Sequence, residues 1–187
     1  MSISMPMVPN ATTVQEKITQ AFITAPFPAD GYDIYAAQTD DDYGNPIFTT
    51  EHLPGRKWFE LENEQLNDCY TALTYLRPDG WRHFLPAWLM RELITPYEGL
   101  HTILFALRAP TNDSHPWQTK RHDALDPEQT RAVVAYLEHY QQRERNIHAT
   151  HAHHRYATAG MEWTPEQEPW QWEQETAKML EYWRGRL

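Results

Sequence analysis

Cysteine occurs once, serine three times, and all seven glycines stand apart from one another in the 187 residues. Each shortage excludes something. Cys69 alone cannot close an internal disulfide, and a single thiol suits a reducing compartment. Ser2, Ser4 and Ser114 lie in no Gly-x-Ser-x-Gly turn, so a hydrolase nucleophile of that type is absent. Isolated glycines build neither a phosphate-cradling loop nor a dinucleotide fingerprint, and no cofactor is called for. No apolar run approaches the ~20 residues of a membrane span. The start, Met1 to Pro6, lacks the basic flank and apolar run of a signal peptide, so the expectation is a cytoplasmic protein without membrane contact. Basic residues are scarce in the first third: residues 1 to 68 hold eleven Asp or Glu against three Lys or Arg, which is −8 of the net −10. That field disfavours nucleic acid, whose binding needs cations to neutralise phosphates, and favours a basic protein partner.

Aromatic residues, by contrast, are plentiful. Eight Trp and ten Tyr beside a mean hydropathy of −0.75 describe a packed core under a polar surface. The expected architecture is mainly α: a compact multi-helix domain with a long, partly irregular acidic segment after the first helix. Residues 1–12 read as a loose arm, 13–158 as one helical domain, and 159–187 as a Trp-rich helix packed on it or on a partner.

Residues 79–93 are the apolar centre, where Trp81, Phe84, Leu85, Trp88, Leu89 and Leu93 fall at helical spacing. Pro86 interrupts that run. The pattern predicts a tight turn over Trp81 to Phe84 and a new helix carrying Pro86 in its first turn, where a missing N–H is harmless.

Earlier in the chain, Thr13 reads as the cap of a helix whose Val14, Ile18, Ala21, Phe22 and Ala25 form its apolar stripe, ended by Pro26-Phe27-Pro28. Turn signals then surround Asp40-Asp41-Asp42, and Tyr32 to Ala36 with Ile47 to Thr50 could pair as a short β-hairpin. A helix is expected from Asn63 to Leu76, with Leu66, Cys69, Tyr70, Leu73 and Leu76 on one face. Thr95-Pro96-Tyr97-Glu98, Asp126-Pro127-Glu128-Gln129 and Thr164-Pro165-Glu166-Gln167 each read as a helix start, a capping oxygen followed by proline and, three residues after the cap, a side chain able to reach back. The first of these helices should bury Tyr97, Leu100, Ile103, Leu104 and Leu107. The second should carry Val133, Leu137, Tyr140, Ile147, His151 and His154 along one stripe and run to Thr158, and the third should bury Trp172, Thr176, Met179, Leu180 and Trp183. Thr111 to Leu125 reads as an exposed loop.

Ile18 to Phe22, Lys57-Trp58, Asp79-Gly80-Trp81, Phe84-Leu85-Pro86-Ala87-Trp88-Leu89 and Asp126 to Arg131, taken in order, resemble a bacterial family described only as a domain of unknown function. The resemblance covers roughly residues 13 to 140 and brings no catalytic residue with it. In size, charge and aromatic content the chain also resembles the small acidic immunity proteins that bacteria encode beside secreted toxins. That resemblance implies a non-enzymatic inhibitor that plugs a basic active site.

The candidate partner-binding residues are Asp30, Asp33, Tyr35, Asp40, Asp41, Asp42, Tyr43, Glu51, Trp58, Glu60, Glu62 and Glu64, aromatic anchors ringed by charge. Two other readings compete with this one. His148, His151 and His154 follow at three-residue steps and could supply two ligands to a metal in an enzyme or binding domain, or could simply stabilise a helix end or line a seam with the last helix. The Trp-rich last helix could instead dock the chain into a larger assembly. Cys69, on an apolar face, reads as a buried structural thiol.

Overall fold

Pro86 does not divide the apolar centre. In the computed structural model, which describes residues 10–52, 54–97, 99–111, 116–162, 164 and 172–187, residues Pro78–Ile94 form one continuous helix with Pro86 inside it. An interior proline forfeits the hydrogen bond to the Arg82 carbonyl and costs about 3 kcal/mol. Trp81, Phe84, Leu85, Trp88 and Leu89 are each at most 1% exposed, and burial of each large side chain contributes roughly 1.5–3 kcal/mol. Five such side chains outweigh one bond. The helix is buried nearly all round, and the other elements are arranged about it.

In chain order the helices among the described residues are α1 (Ala11–Phe22), α2 (Ile34–Asp41), α3 (Asn63–Asp68), α4 (Ala72–Tyr75), α5 (Pro78–Ile94), α6 (Leu100–Leu107), α7 (Pro116–Asp123), α8 (Pro127–Thr158) and α9 (Glu173–Arg184), with a 3₁₀ turn over Trp58–Glu60 before α3. The fold is mainly helical, with no strand among the described residues. α5 touches α1, α4, α6, α7 and the 3₁₀ turn; α8 packs on α1 and α9, and α2 on α4. None of the described helices is long and apolar enough to cross a membrane.

Several boundaries differ from the sequence reading. The expected hairpin is absent: Ile34 to Asp41 is helical, and residues 45–52 run irregularly. Asp33 decides this, because its carboxylate accepts from the amides of Tyr35 and Ala36 and caps α2. α1 is capped by Asn10, whose side chain accepts from the Thr13 amide at 2.9 Å, so Thr13 lies inside the helix. The Asn63 to Leu76 helix is broken into α3 and α4, and Tyr70 at the break is 61% exposed while Leu66, Cys69, Leu73 and Leu76 are buried. No helix starts at Pro96: α5 runs on until the Thr95 amide bonds the Arg91 carbonyl, and the residues assigned to a new cap finish the old helix. Tyr97 is 52% exposed as a result. Residues 116–123 of the expected loop are α7, which buries Gln118, Arg121 and His122. The loose arm apart from residues 10–12, and the start of the last helix at Pro165, lie outside the described residues.

The start of α8 is as expected. Asp126 accepts from the Gln129 amide at 2.9 Å and Gln129 returns the bond to the Asp126 amide at 3.2 Å. The Gln129 side chain also donates to the Ala21 carbonyl, and Arg82 of α5 binds both Gln129 and Asp126, which fixes α8 against α1 and α5. The helix reaches Thr158, but its stripe does not hold: Val133, Leu137 and Tyr140 are buried, Ile147 is half-buried, and His151 and His154 face solvent.

α6 is entered through Gly99 at φ +75, where an added Cβ would lie 3.4 Å from the Trp88 ring. Gly99→Ala is expected to cost about 1–2 kcal/mol, the left-handed penalty of a Cβ. Thermal denaturation beside the parent chain reads it.

Candidate functional site

The acidic segment separates into residues that hold the fold and residues that face solvent. Asp33 is 5% exposed; besides capping α2 it receives His52 Nε2 at 3.0 Å. Tyr35 is 2% exposed, its ring edge against Phe48 and its hydroxyl donating to the Glu51 carbonyl at 3.2 Å. Trp58 is 4% exposed and donates Nε1–H to the Phe22 carbonyl at 3.1 Å. Tyr35 and Trp58, expected to anchor a partner, are therefore core side chains. Glu60 and Glu62 cap local turns through the amides of Lys57 and of α3, and Glu64 is exposed in the first turn of α3.

The end of α2 is different. Asp40 accepts from the Tyr32 hydroxyl, Asp41 from Thr71 Oγ1 at 2.6 Å and from the Tyr75 hydroxyl, and Asp42 from Gln38 Nε2 at 3.0 Å. All three carboxylates stand at or just past the last turn, the negative pole of the helix, where no basic residue accompanies them. The chain then leaves α2 through Tyr43, at φ +53 and 94% exposed, and reaches Ile47, 88% exposed. Glu51 is exposed nearby in sequence, and Asp30, also at the surface, pairs with Arg77. The amide of Tyr32 and then the Arg77 guanidinium hold the Asp30 carboxyl below its ordinary range. The residues from 45 to 52 are tied down by Asp68, which accepts from the amides and hydroxyls of both Thr49 and Thr50 at 2.6–2.9 Å. Burial pushes the Asp68 carboxyl up, and the four donors together outweigh it and hold the pKa below the ordinary value.

The histidine segment forms no comparable site. His148 is half-buried while His151 and His154 are exposed on α8, and three-residue steps on a helix turn each imidazole about 60° from the last. Among the described residues no three His, Cys, Asp or Glu side chains come together as metal ligands would. Cys69 is fully buried, and burial raises its thiol pKa, so it is not a thiolate nucleophile. The last helix is part of the same core, with Met179, Leu180 and Trp183 packed into it and Trp183 Nε1 donating to the Leu107 carbonyl at 2.9 Å.

A family model matches residues 10–187. The chain belongs to the family of unknown function DUF6714. The DUF6714 match continues past Tyr140, where the resemblance read from sequence stopped, and takes in the histidine segment and the last helix. No curated protein and no solved structure matches the chain.

Three polar groups of this DUF6714 chain were missed by sequence reasoning. Glu92, fully buried, binds Arg143 at 2.6 Å and accepts from the Tyr136 hydroxyl at 3.1 Å. Its position inside an apolar run is the signal that marks it. His122, 1% exposed, lies between Tyr182 and the Ala106 carbonyl, each at 2.9 Å, so Nε2–H donates to the carbonyl and Nδ1 accepts from the hydroxyl. Burial lowers the His122 pKa to about 4. Arg121, its neighbour, is 6% exposed. A polar composition hid both, because α7 turns its polar side chains inward.

Proposed function

We propose that this chain is a non-enzymatic protein-binding module of the immunity or antitoxin kind, working in the cytoplasm, that covers the active site of a basic toxin with the surface at the end of α2. The observation that carries the reading is the placement of Asp40, Asp41 and Asp42 at the negative pole of α2 beside an almost fully exposed Tyr43. Carboxylates there are disfavoured by about 0.3–1 kcal/mol each. The internal donors answer that repulsion only in part, while Lys and Arg side chains of a partner would remove it and Tyr43 would gain burial. A toxin that handles nucleic acid or nucleotides presents such cations around its own site. Tight interfaces place an aromatic anchor within a charged rim, which is the arrangement of Tyr43 among Asp40, Asp41 and Asp42.

The test is capture of a basic protein from the source lysate at low salt, followed by binding kinetics with that protein. Asp40→Lys with Glu51→Lys is expected to slow association about tenfold and flatten its salt dependence. Tyr43→Gly, which keeps the left-handed backbone without strain, is expected to weaken affinity by about tenfold or more while the melting temperature holds. Kinetics unchanged in both variants would refute the assignment of this surface.

A further inference from the structure

Arg121 is the one buried charge that the fold leaves without a hydrogen bond or an ion pair among the described residues. Glu92 has Arg143, Asp33 has His52 and two amides, and Arg91 has Asn67. Around Arg121 the structure supplies an aromatic face: its guanidinium carbon lies 3.7 Å from the centre of the Trp117 ring. The one titrating side chain that favours its charge is Tyr32, a neutral phenol at pH 7, and burial pulls its pKa down to about 9. Stacking on Trp117 returns part of the hydration the guanidinium loses, but an apolar side chain of the same length would pack there without losing any.

Arg121 lines a cleft of about 500 Å³ between the α4–α5 junction and helices α6 and α7. Tyr75, Arg77, Pro78, Phe105 and Trp117 form the rest of the wall that matters. Phe105 is 52% exposed and Trp117 36%, so two large rings stand open to solvent beside a buried cation. None of the described carboxylates near the cleft pairs with Arg121: Asp30 bonds Arg77, Asp41 the Tyr75 hydroxyl, and Asp79 the Gly80 amide. With Arg77 paired to Asp30, Arg121 is the cation of the cleft wall that has no ion pair among the described residues.

We infer that this cleft binds an aryl-bearing organic carboxylate of single negative charge, its head on Arg121 and its ring against Tyr75, Phe105 and Trp117. Charge matching selects the head, since one free guanidinium offers a carboxylate its paired N–H fork, whereas a phosphate dianion would bring a second charge with nothing to meet it. The rings select the body. The inference does not rest on the partner-binding reading of Tyr43, although the Tyr75 hydroxyl of this cleft bonds Asp41 of that surface.

Titration calorimetry of the full chain with phenylacetate, phenylacetamide and inorganic phosphate tests the inference. Phenylacetate is expected to bind about tenfold or more tightly than its uncharged amide, the discrimination of one charge-assisted pair, and more tightly than phosphate. Arg121→Met is expected to abolish that preference while the melting temperature stays level or rises, the signature of a charge kept for a ligand and not for the fold. Phe105→Ala, at an exposed position, should weaken phenylacetate several-fold and gives a reading even if the Arg121 variant does not fold. Equal binding of acid and amide, or an Arg121→Met chain that binds phenylacetate like the parent, would overturn the site. Binding of phosphate as tight as that of phenylacetate would overturn the aromatic part of it.

Discussion

Replacing Glu92 by alanine is expected to destabilise the chain by about 3–5 kcal/mol, a large part of the 5–15 kcal/mol that holds an ordinary domain together. Glu92 is fully buried on α5, while its partners Arg143 and Tyr136 come from α8, and the Tyr97 amide approaches the same carboxylate at 3.5 Å. Removal of the carboxylate leaves the Arg143 side chain, 16% exposed, with only Glu144 to answer its charge, and leaves the Tyr136 hydroxyl without an acceptor. The cost arises from the groups left behind more than from the bond lost. Exchanging both members, Glu92→Met with Arg143→Met, is therefore expected to recover most of the loss. Urea denaturation of the two single variants and the double variant gives the coupling. A double variant as unstable as the sum of the singles would show that the pair acts independently.

Acid should weaken the fold well before the carboxylates titrate. The His122 imidazole takes a proton only near pH 4 in the folded chain, against an ordinary value near 6.5 once unfolded. Between those values the unfolded state binds more protons, so stability is full above about pH 6.5 and falls as the pH drops toward 4. The total loss is roughly 3 kcal/mol. Burial acts on His83 in the same direction. His122→Gln removes the titrating group while keeping a donor for the Ala106 carbonyl and an acceptor for Tyr182. Its stability measured by urea denaturation from pH 7 to 4 is expected to fall less steeply than that of the parent. Parallel curves would place the acid sensitivity elsewhere.

The sequence was readable where burial and apolarity coincide. Trp81, Phe84, Trp88 and Leu89 marked the apolar centre, though not its continuity through Pro86, and the reciprocal pair of Asp126 and Gln129 marked the start of α8 because a capping box is a local device. It was unreadable where they part company. α7 buries Gln118, Arg121 and His122, whose polar atoms are met by backbone carbonyls, a tyrosine or an aromatic face, so its inward side looks like a loop in composition. α2 buries Ile34, Tyr35, Ala37 and Gln38 on one side, but the helix is only eight residues long and one of the four is a glutamine, so little apolar period shows, and the β-favouring Tyr32, Ile34 and Tyr35 then imitate a strand. Pro86 is tolerated only because of what surrounds it, which no local rule contains. At the candidate surface, charge could be counted from sequence but direction could not. Asp40, Asp41, Asp42 and Tyr43 meet at one helix end, whereas Tyr35 and Trp58 turn inward to bonds with residues 16 and 36 positions away.

The seating of α8 on α1 also shapes the order of assembly. Gln129 reaches the Ala21 carbonyl across 108 residues of chain, and the stripe of Val14, Ile18 and Phe22 is fully buried only when α8 as well as α5 lies against it. A ribosome adding roughly 5–20 residues per second emits α1 some ten seconds before the helix that completes its cover. During that interval the nascent chain carries an apolar strip with half its lid, the kind of surface that holdase chaperones engage. Of the described helices, the first to be made is thus among the last to be sealed.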